Sequence, residues 1–240
     1  MARRIRAWAW AAVAACGMSQ SAAAAERFPF VLPGDDVAKN ATDFSGLSPR
    51  PAGADGFVTI RDGHFFTGDR RLRIWGMNVC FGANVPAKAD AETAAARLAK
   101  LGINGVRFHH HETAPAPRGL LRPPENGARI LDPEMLDRQD FFLDQLHRHG
   151  IYANLNLHVG RSFTEAEGFE NADDLPYDVR YSKYVLYFEP RMRAKLKEFI
   201  RDYLGHVNPH RKLRRADDPG IAMLEITNEN SFSTRGTTLA

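Results

Sequence analysis

The sequence predicts an α/β fold, specifically a (β/α)8 barrel of which residues 57–240 form the amino-terminal half. From residue 72 onward, apolar strands alternate with amphipathic helices and no hairpin joins one strand to the next. That order is typical of a parallel sheet built from right-handed βαβ units. Polar side chains also stand where each predicted strand ends, and this is the edge at which (β/α)8 barrels place their active sites.

An arm and a hairpin precede these units. Residues 26–56 are rich in Gly, Pro, Asp and Ala without a period, which predicts an extended arm. The β-type runs 57–60 and 64–67 are separated by Arg-Asp-Gly at 61–63, and Asp-Gly between such runs is a strong hairpin signal. A second turn then leads into a third predicted strand, residues 72–79.

The strands of the βα units are predicted at 72–79, 103–109, 151–158 and 221–227, with helices at 91–101, 132–150 and 190–204. Gly102 ends the first helix, and Asp132 caps the second with Pro133 at its first position. Four units use about 160 residues of this chain, whereas eight typically need ~250. We therefore expect the second half of the barrel to lie beyond residue 240.

The amino terminus has the pattern of a secretion leader. Residues 1–8 are basic, the next stretch is apolar but too short to span a bilayer, and three alanines at 23–25 provide a cleavage site. We expect residues 1–25 to be a signal peptide and the mature protein to be secreted or periplasmic. The alternative is a lipoprotein, because VAAC at 13–16 resembles a lipobox and would anchor the protein through Cys16.

Composition and charge exclude several classes of protein. The 240 residues are 44% hydrophobic and 25% charged, unlike a membrane bundle or a disordered chain. The net charge of +3 comes from Arg3, Arg4 and Arg6, because without them basic and acidic residues number 29 each. A neutral mature chain gives no electrostatic reason to expect binding to nucleic acid. Cys80 is the only cysteine left after cleavage, so no intramolecular disulfide is expected.

Glu229 is the leading candidate for a catalytic group. It follows Asn228 at the end of the fourth predicted strand, and a carboxylic acid in that place suits a general acid. From the residues alone, a helix N-cap region remains an alternative for this pair. Arg107 and His158 end two other strands on the same predicted edge. A surface salt bridge is the alternative for Arg107, and a hydrogen-bonded core histidine is the alternative for His158.

The run His-His-His-Glu at 109–112 raises the alternative of a metal site, because imidazole and carboxylate suit zinc. Alternate residues of a strand face opposite ways, so at most His109 and His111 point together. The fourth predicted strand adds neither His nor Lys, and no glycine fingerprint for a dinucleotide follows the first strand. We expect neither a metal nor an organic cofactor.

Three segments resemble the cellulase-type glycoside hydrolase family 5, a group of clan A retaining glycosidases. They are LGINGVRFHH at 101–110, YANLNLH at 152–158 and LEITNEN at 224–230, in this order and after FVTIRDGHFFTGDRRLRIWGMN. The resemblance covers about 57–232. It implies a (β/α)8 barrel that hydrolyses β-linked poly- or oligosaccharide by double displacement, without a cofactor.

On this resemblance Glu229 is the acid/base residue and Asn228 is the amide that holds the sugar 2-hydroxyl. Arg107 matches the arginine that orients the nucleophile, and His158 matches the histidine that closes the third strand. His109, beside Arg107, is grouped with them as a substrate-binding residue.

The sequence departs from the family pattern at two positions. Asn230 stands where members often have Pro, and Asn156 stands where many have Asp. The nucleophile glutamate belongs on the seventh strand, beyond residue 240, and a retaining enzyme needs two carboxyl groups about 5–5.5 Å apart. We therefore expect these 240 residues to be inactive alone.

Two other functions remain as alternatives, a non-catalytic carbohydrate-binding barrel and a metal-dependent barrel hydrolase. Glu225 shares the strand face of Glu229 and is expected to make a structural hydrogen bond, and Trp75 is expected in the core. The loop at 159–189 is rich in tyrosine, which serves either sugar stacking or loop packing.

Overall fold

The computed structural model describes residues 31, 33–49, 51–174, 181 and 183–230. The predicted signal peptide at 1–25, the alternative anchor Cys16, and Tyr177 of the tyrosine-rich loop lie outside the described residues. Within the described part of the chain, no helix is long and apolar enough to cross a membrane.

The helices and the strands of the parallel sheet follow the predicted order, whereas the short strands at 207–208 and 213–214 were not predicted. In chain order the strands are β1 (Thr59–Arg61), β2 (His64–Thr67), β3 (Arg70–Arg71), β4 (Gly76–Cys80), β5 (Gly105–His109), β6 (Tyr152–Asn156), β7 (Val207–Asn208), β8 (Leu213–Arg214) and β9 (Ile221–Glu225). The helices are α1 (Lys88–Lys100), α2 (Pro133–Arg148) and α3 (Pro190–Gly205).

A four-stranded parallel sheet in the order β4-β5-β6-β9 forms the centre of the fold. An antiparallel sheet, β1-β2-β3, precedes it, and β7 and β8 form a short separate pair. The predicted α/β class and the half-barrel arrangement of βα units are confirmed, and the described strands do not close into a barrel.

The Asp-Gly turn forms as predicted, with Arg61 paired to His64 across a two-residue loop. Asp62 and Gly63 have φ values of 49° and 72°. Two successive positive φ angles are what a type I′ turn requires. Arg61 therefore belongs to β1 rather than to the turn.

The predicted strand at 72–79 is wrong in its first half. The chain leaves β3 after Arg71 and enters the parallel sheet only at Gly76. Between them, the backbone N–H of Trp75 donates to the side-chain Oδ1 of Asn104 at 2.7 Å. Trp75 is 69% exposed, so its expected place in the core is wrong. Residues 72–75 lie outside the regular strands and are bonded to Phe65 and Asn104 instead.

Strand alternation separates an apolar face of the sheet from a polar one. Val106 and Phe108 are buried against the helices, and Phe108 contacts Phe142 of α2 edge to face at 5.8 Å. The intervening Arg107 and His109 are only partly buried and lie on the opposite face. Since side chains alternate along a strand, packing one face on the helices places these polar groups together on the other.

Helix caps set the starts of α2 and α3. Asp132 Oδ1 accepts hydrogen bonds from the backbone N–H groups of Glu134 and Met135, both at 3.0 Å, and Pro133 occupies the first helical position. Glu189 caps α3 in the same manner by accepting from the N–H of Arg191 at 2.9 Å. The predicted cap of α2 is confirmed. Both α2 and α3 begin directly after a loop that contains polar residues.

Candidate functional site

The strands β4, β5, β6 and β9 run parallel, so their carboxyl ends meet at one edge of the sheet, here called the C-terminal rim. Arg107 of β5 binds Glu225 of β9 there through two hydrogen bonds, Nε to Oε2 at 2.8 Å and Nη2 to Oε1 at 2.7 Å. Its Nη2 also donates to Asn228 Oδ1 at 2.9 Å. The structure thus brings together Arg107 and Asn228, and it confirms the hydrogen-bonding role expected of Glu225.

The charges of this pair stabilise each other. The hydrogen bond from Arg107 lowers the pKa of Glu225, and the carboxylate of Glu225 in turn raises the pKa of Arg107. Both side chains are less than one-third exposed. The guanidinium is therefore held in one orientation, and within the described part of the chain its two Nη1 hydrogens have no acceptor.

Glu229 lies on the rim with a side chain that is 76% exposed. Its φ of 52° falls in the left-handed region, which glutamate rarely adopts. One carboxylate oxygen, Oε2, is 3.3 Å from the ammonium of Lys183. The adjacent Asn228 donates its backbone N–H to the carbonyl of His158 at 2.9 Å, which ties this segment to the end of β6.

His158 is completely buried rather than open to the rim. Its Nδ1 is 3.7 Å from Glu112 Oε1, and neither ring nitrogen has a hydrogen-bond partner among the described residues. Burial is the main cause that lowers the pKa of this imidazole. His158 therefore contributes its backbone carbonyl to the position of Asn228, and contact of its ring with substrate stays a prediction.

His109 and His111 are both tied to Asn156 at the end of β6. The Nδ1 of His109 is 2.6 Å from Asn156 Oδ1, and the Nε2 of His111 is 2.5 Å from the backbone oxygen of Asn156. His111 is fully buried, and burial lowers its pKa to about 4. Across the described ranges, no three His, Cys, Asp or Glu side chains are grouped as ligands for a metal ion.

Glu112 supports the loop after β6. Its Oε1 accepts hydrogen bonds from the backbone N–H groups of Val159 and Gly160, the second at 3.2 Å. The His-His-His-Glu run therefore has a structural role. Its residues His111 and Glu112 hold the end of β6 and the loop that follows it.

Sequence reasoning missed Phe81 and considered His110 only within the metal alternative; these two residues follow β4 and β5 directly. Their rings stack at a centroid distance of 4.6 Å, and both residues have positive φ angles, 50° and 58°. With Glu229, three non-glycine residues in the left-handed region follow three strands of one sheet. Such conformations persist only where the surroundings hold them, and they are enriched at functional sites. No sequence signal marks them, because neither Phe nor Glu favours this conformation.

The tyrosine-rich loop packs on itself and on the rim. The ring of Tyr181 lies 5.0 Å from that of Phe169, and its hydroxyl donates to the carbonyl of Glu170 at 3.3 Å. The hydroxyl of Tyr187 donates to the carbonyl of Asn230 at 2.7 Å. These contacts favour the loop-packing alternative for the two residues.

A cavity of about 320 Å³ opens on the polar face of the sheet. Arg107 lines it together with Asn78, Asn154 and Met223, and Gly76 and Gly105 line its other end. Because these two glycines begin β4 and β5, the cavity extends from Arg107 toward the amino-terminal edge of the sheet. It therefore meets the rim at Arg107 and extends away from Glu229.

Several solved structures share this fold. An endo-1,4-β-mannanase from Rhizomucor miehei aligns with a TM-score of 0.58 and 18% identity over 72% of this chain and 48% of that chain. A glycoside hydrolase family 5 mannosidase from the same organism gives 0.56 and 19%, over 73% and 49%. A hyperthermostable endo-1,4-β-D-mannanase from Thermotoga petrophila gives 0.50 and 16%, over 66% and 45%.

This chain spans about half the length of those structures. The likeness, at less than 20% identity, establishes the fold and carries no residue assignment. The chain matches no family model, and it matches no curated protein.

Proposed function

We propose that this protein is a glycoside hydrolase that cleaves a β-linked polysaccharide or oligosaccharide with retention, and that Glu229 is its acid/base residue. The observation that carries the proposal is the bond from Arg107 to Asn228 beside Glu229 on the C-terminal rim. These are the three residues to which the family resemblance assigns connected roles. The structures that share the fold are named as mannanases and a mannosidase, so a β-1,4-mannan is the first substrate class to test.

In the proposed reaction Glu229 protonates the leaving-group oxygen and later removes a proton from the attacking water. Asn228 accepts from Arg107 through Oδ1, which leaves the Nδ2 end of the amide to donate to a sugar hydroxyl. The free Nη1 of Arg107 is available to orient a nucleophilic carboxylate.

That second carboxylate is required for retention. Glu225, at the end of β9, is already bound to Arg107 through both oxygens. We propose that the nucleophile comes from the part of the barrel that these residues do not include. On this proposal the 240 residues are inactive unless the remaining strands are supplied.

A non-catalytic carbohydrate-binding barrel is the second candidate, and the engagement of both Glu225 oxygens by Arg107 favours it, because that carboxylate is then not available as a nucleophile. The two candidates differ in whether Glu229 is needed for turnover or only for binding.

Glu229→Gln separates the candidates. The substitution keeps the shape but removes the transferable proton, and general acid–base catalysis contributes about 10²–10⁴-fold. In the protein that carries the complete barrel, we expect kcat on oligosaccharides to fall by that factor. The loss is expected to shrink for dinitrophenyl glycosides, which need no acid, and azide is expected to restore turnover by attacking the glycosyl-enzyme. Unchanged rates with both substrates would remove Glu229 from the reaction and favour the binding protein.

Export is also proposed, with cleavage after Ala25. Amino-terminal sequencing of the exported protein is expected to begin at Glu26. A start at a lipid-modified Cys16 would replace secretion with anchoring, and uncleaved protein in the cytoplasm would contradict both.

A further inference from the structure

We propose that Lys183 and Tyr187 are positioning residues that clamp the segment carrying Glu229, and that Lys183 stabilises its carboxylate as the proton leaves. The clamp itself follows from contacts within this chain. Its catalytic consequence rests on the proposed function.

The segment at 228–230 needs support from outside the sheet. The strand β9 ends at Glu225, so these residues lie beyond the hydrogen-bonded ladder. Glu229 also adopts a φ of 52°, a conformation that side chains with a Cβ rarely occupy. A residue held in this region requires surrounding contacts that leave it no better alternative.

Residues 183–187 provide those contacts through four hydrogen bonds. The Nζ of Lys183 donates to the carbonyl of Asn228 and to Oε2 of Glu229, each at 3.3 Å. The hydroxyl of Tyr187 donates to the carbonyl of Asn230 at 2.7 Å, and Asn230 Nδ2 donates to the carbonyl of Lys183 at 3.2 Å. Residues 183–187 are therefore hydrogen-bonded to the segment at 228–230 through both Lys183 and Tyr187.

The clamp is anchored to the helical layer. Leu186 is buried, and the Nη1 of Arg193 in α3 donates to the carbonyls of Leu186 and Tyr187 at 3.3 and 2.7 Å. The Lys183 side chain is only 15% exposed although its partner carboxylate is 76% exposed. An ammonium withdrawn from water to this extent interacts more strongly with its two acceptors than a surface lysine does.

The geometry assigns the two carboxylate oxygens of Glu229 different roles. Lys183 occupies Oε2, which leaves Oε1 to carry the proton toward the leaving group. When that proton moves to the glycosidic oxygen, the bond between this oxygen and the anomeric carbon breaks, and the proposed nucleophile bonds to that carbon. Glu229 becomes a carboxylate at that moment, so its bond to the ammonium is stronger in the transition state than before it. An interaction of this kind raises kcat rather than substrate affinity.

Hydrogen–deuterium exchange of the 240-residue chain tests the clamp without any turnover. The reporter is the backbone amide of Asn228, which is bonded to the carbonyl of His158. We expect its exchange to accelerate by about 5–10-fold in Lys183→Met and in Tyr187→Phe, because local opening becomes easier. Lys183→Arg is expected to retain most of the protection. Lys195→Met, which removes an exposed ion pair with Glu198 on α3, is the matched control and is expected to change nothing.

Two exchange results would contradict the clamp. Normal protection of Asn228 in both Lys183→Met and Tyr187→Phe would overturn the clamp. Faster exchange throughout β9 would also overturn it, because that pattern shows general destabilisation rather than release of one segment.

Kinetics in the complete barrel test the catalytic consequence. Lys183→Met is expected to lower kcat about 10-fold, with KM changed less than about twofold. In the Glu229→Gln background it is expected to cause no further loss, because its effect passes through Glu229. An equal loss in both backgrounds would overturn the positioning role, whereas a Glu229→Gln variant with full activity would instead overturn the proposed function. The hydrogen–deuterium exchange result tests the clamp whichever kinetic result is obtained.

Discussion

At the scale of single residues, the rim is organised around one guanidinium. Arg107 gives three hydrogen bonds to groups on β9 and on the segment after it, more than 115 residues away in sequence. Because the guanidinium is planar and its donors are fixed relative to one another, the two bonds to Glu225 also determine where Asn228 must lie. Glu225 is therefore as important to the site as the residues that are expected to touch sugar.

Glu225→Gln tests this arrangement. The amide keeps the shape but loses the charge, so one bond of the pair is lost and the other weakens. We expect the free energy of unfolding at pH 7 to fall by about 1–2 kcal/mol, the range for hydrogen bonds to charged groups after allowance for partial exposure. Urea unfolding provides the measurement.

The pH dependence of this difference follows from the lowered pKa of Glu225. A carboxyl whose pKa is lower in the folded state stabilises the protein above its unfolded value near 4.3, and the contribution disappears as the pH falls through the folded value. The two proteins should therefore converge in strongly acidic urea solutions. Glu198→Gln, at an exposed pair with Lys195, is the control, and an equal loss there would mean that the pair with Arg107 has no special role.

At the scale of elements, α2 carries a buried histidine that packs against Gly220, the residue just before β9. His147 is completely buried, and a Cβ on Gly220 would lie 2.6 Å from its ring, so the two elements meet without space for another atom. Burial lowers the pKa of His147 to about 4. At neutral pH His147 is therefore uncharged in the folded protein, although Asp218 Oδ2 lies 3.6 Å from its Nδ1.

We expect this interface to weaken in mild acid. An unfolded histidine takes up a proton near pH 6.5, whereas His147 in the folded state does so only near pH 4. Stability is therefore lost as the pH falls through 6.5 and continues to fall until about 4. Between pH 7 and 5.5 one such histidine accounts for about 1 kcal/mol.

The measurement is the urea midpoint at these two pH values for the wild type and for His147→Gln. The variant is expected to show a smaller decrease, whatever its stability at pH 7. His64→Gln, at an exposed histidine of β2, is the control and should keep the decrease of the wild type. A decrease of equal size in His147→Gln would contradict the assignment.

At the scale of the whole molecule, the described parallel sheet has two open edges. Both β4 and β9 pair with one neighbour each, so among the described residues each leaves one row of backbone N–H and C=O groups without a strand partner. Large apolar side chains accompany these edges, Trp75 and Met77 at β4 and Leu224 and Ile226 at β9, and all four are more than one-third exposed. Unpaired strand edges of this kind are templates for pairing with another chain.

We therefore expect the 240-residue chain to self-associate when expressed alone. Light scattering coupled to size-exclusion chromatography should give a mass that rises with protein concentration. Leu224→Lys places a charge beside the β9 edge and is expected to reduce the association. A monodisperse monomer with a cooperative melting transition would contradict this prediction, because it would show that the open strand edges do not cause association.

The sequence by itself determined the order and type of the elements in this protein. Apolar periodicity, the Asp132 cap and the Asp-Gly turn are local signals, and each acts through atoms a few residues apart. It also placed Arg107, Asn228 and Glu229 at strand ends, because parallel strands must end at a common edge.

Only the tertiary structure decided how those side chains are used. The contact of Lys183 with Glu229 joins residues 46 positions apart, and the burial of His158 and the exposure of Trp75 depend on which segments pack above them. The left-handed conformation of Glu229 has no local cause, since it is held by hydrogen bonds from another loop. Periodicity along a chain records which face of an element is buried, but the partner of an exposed polar group depends on distances that only the folded backbone sets.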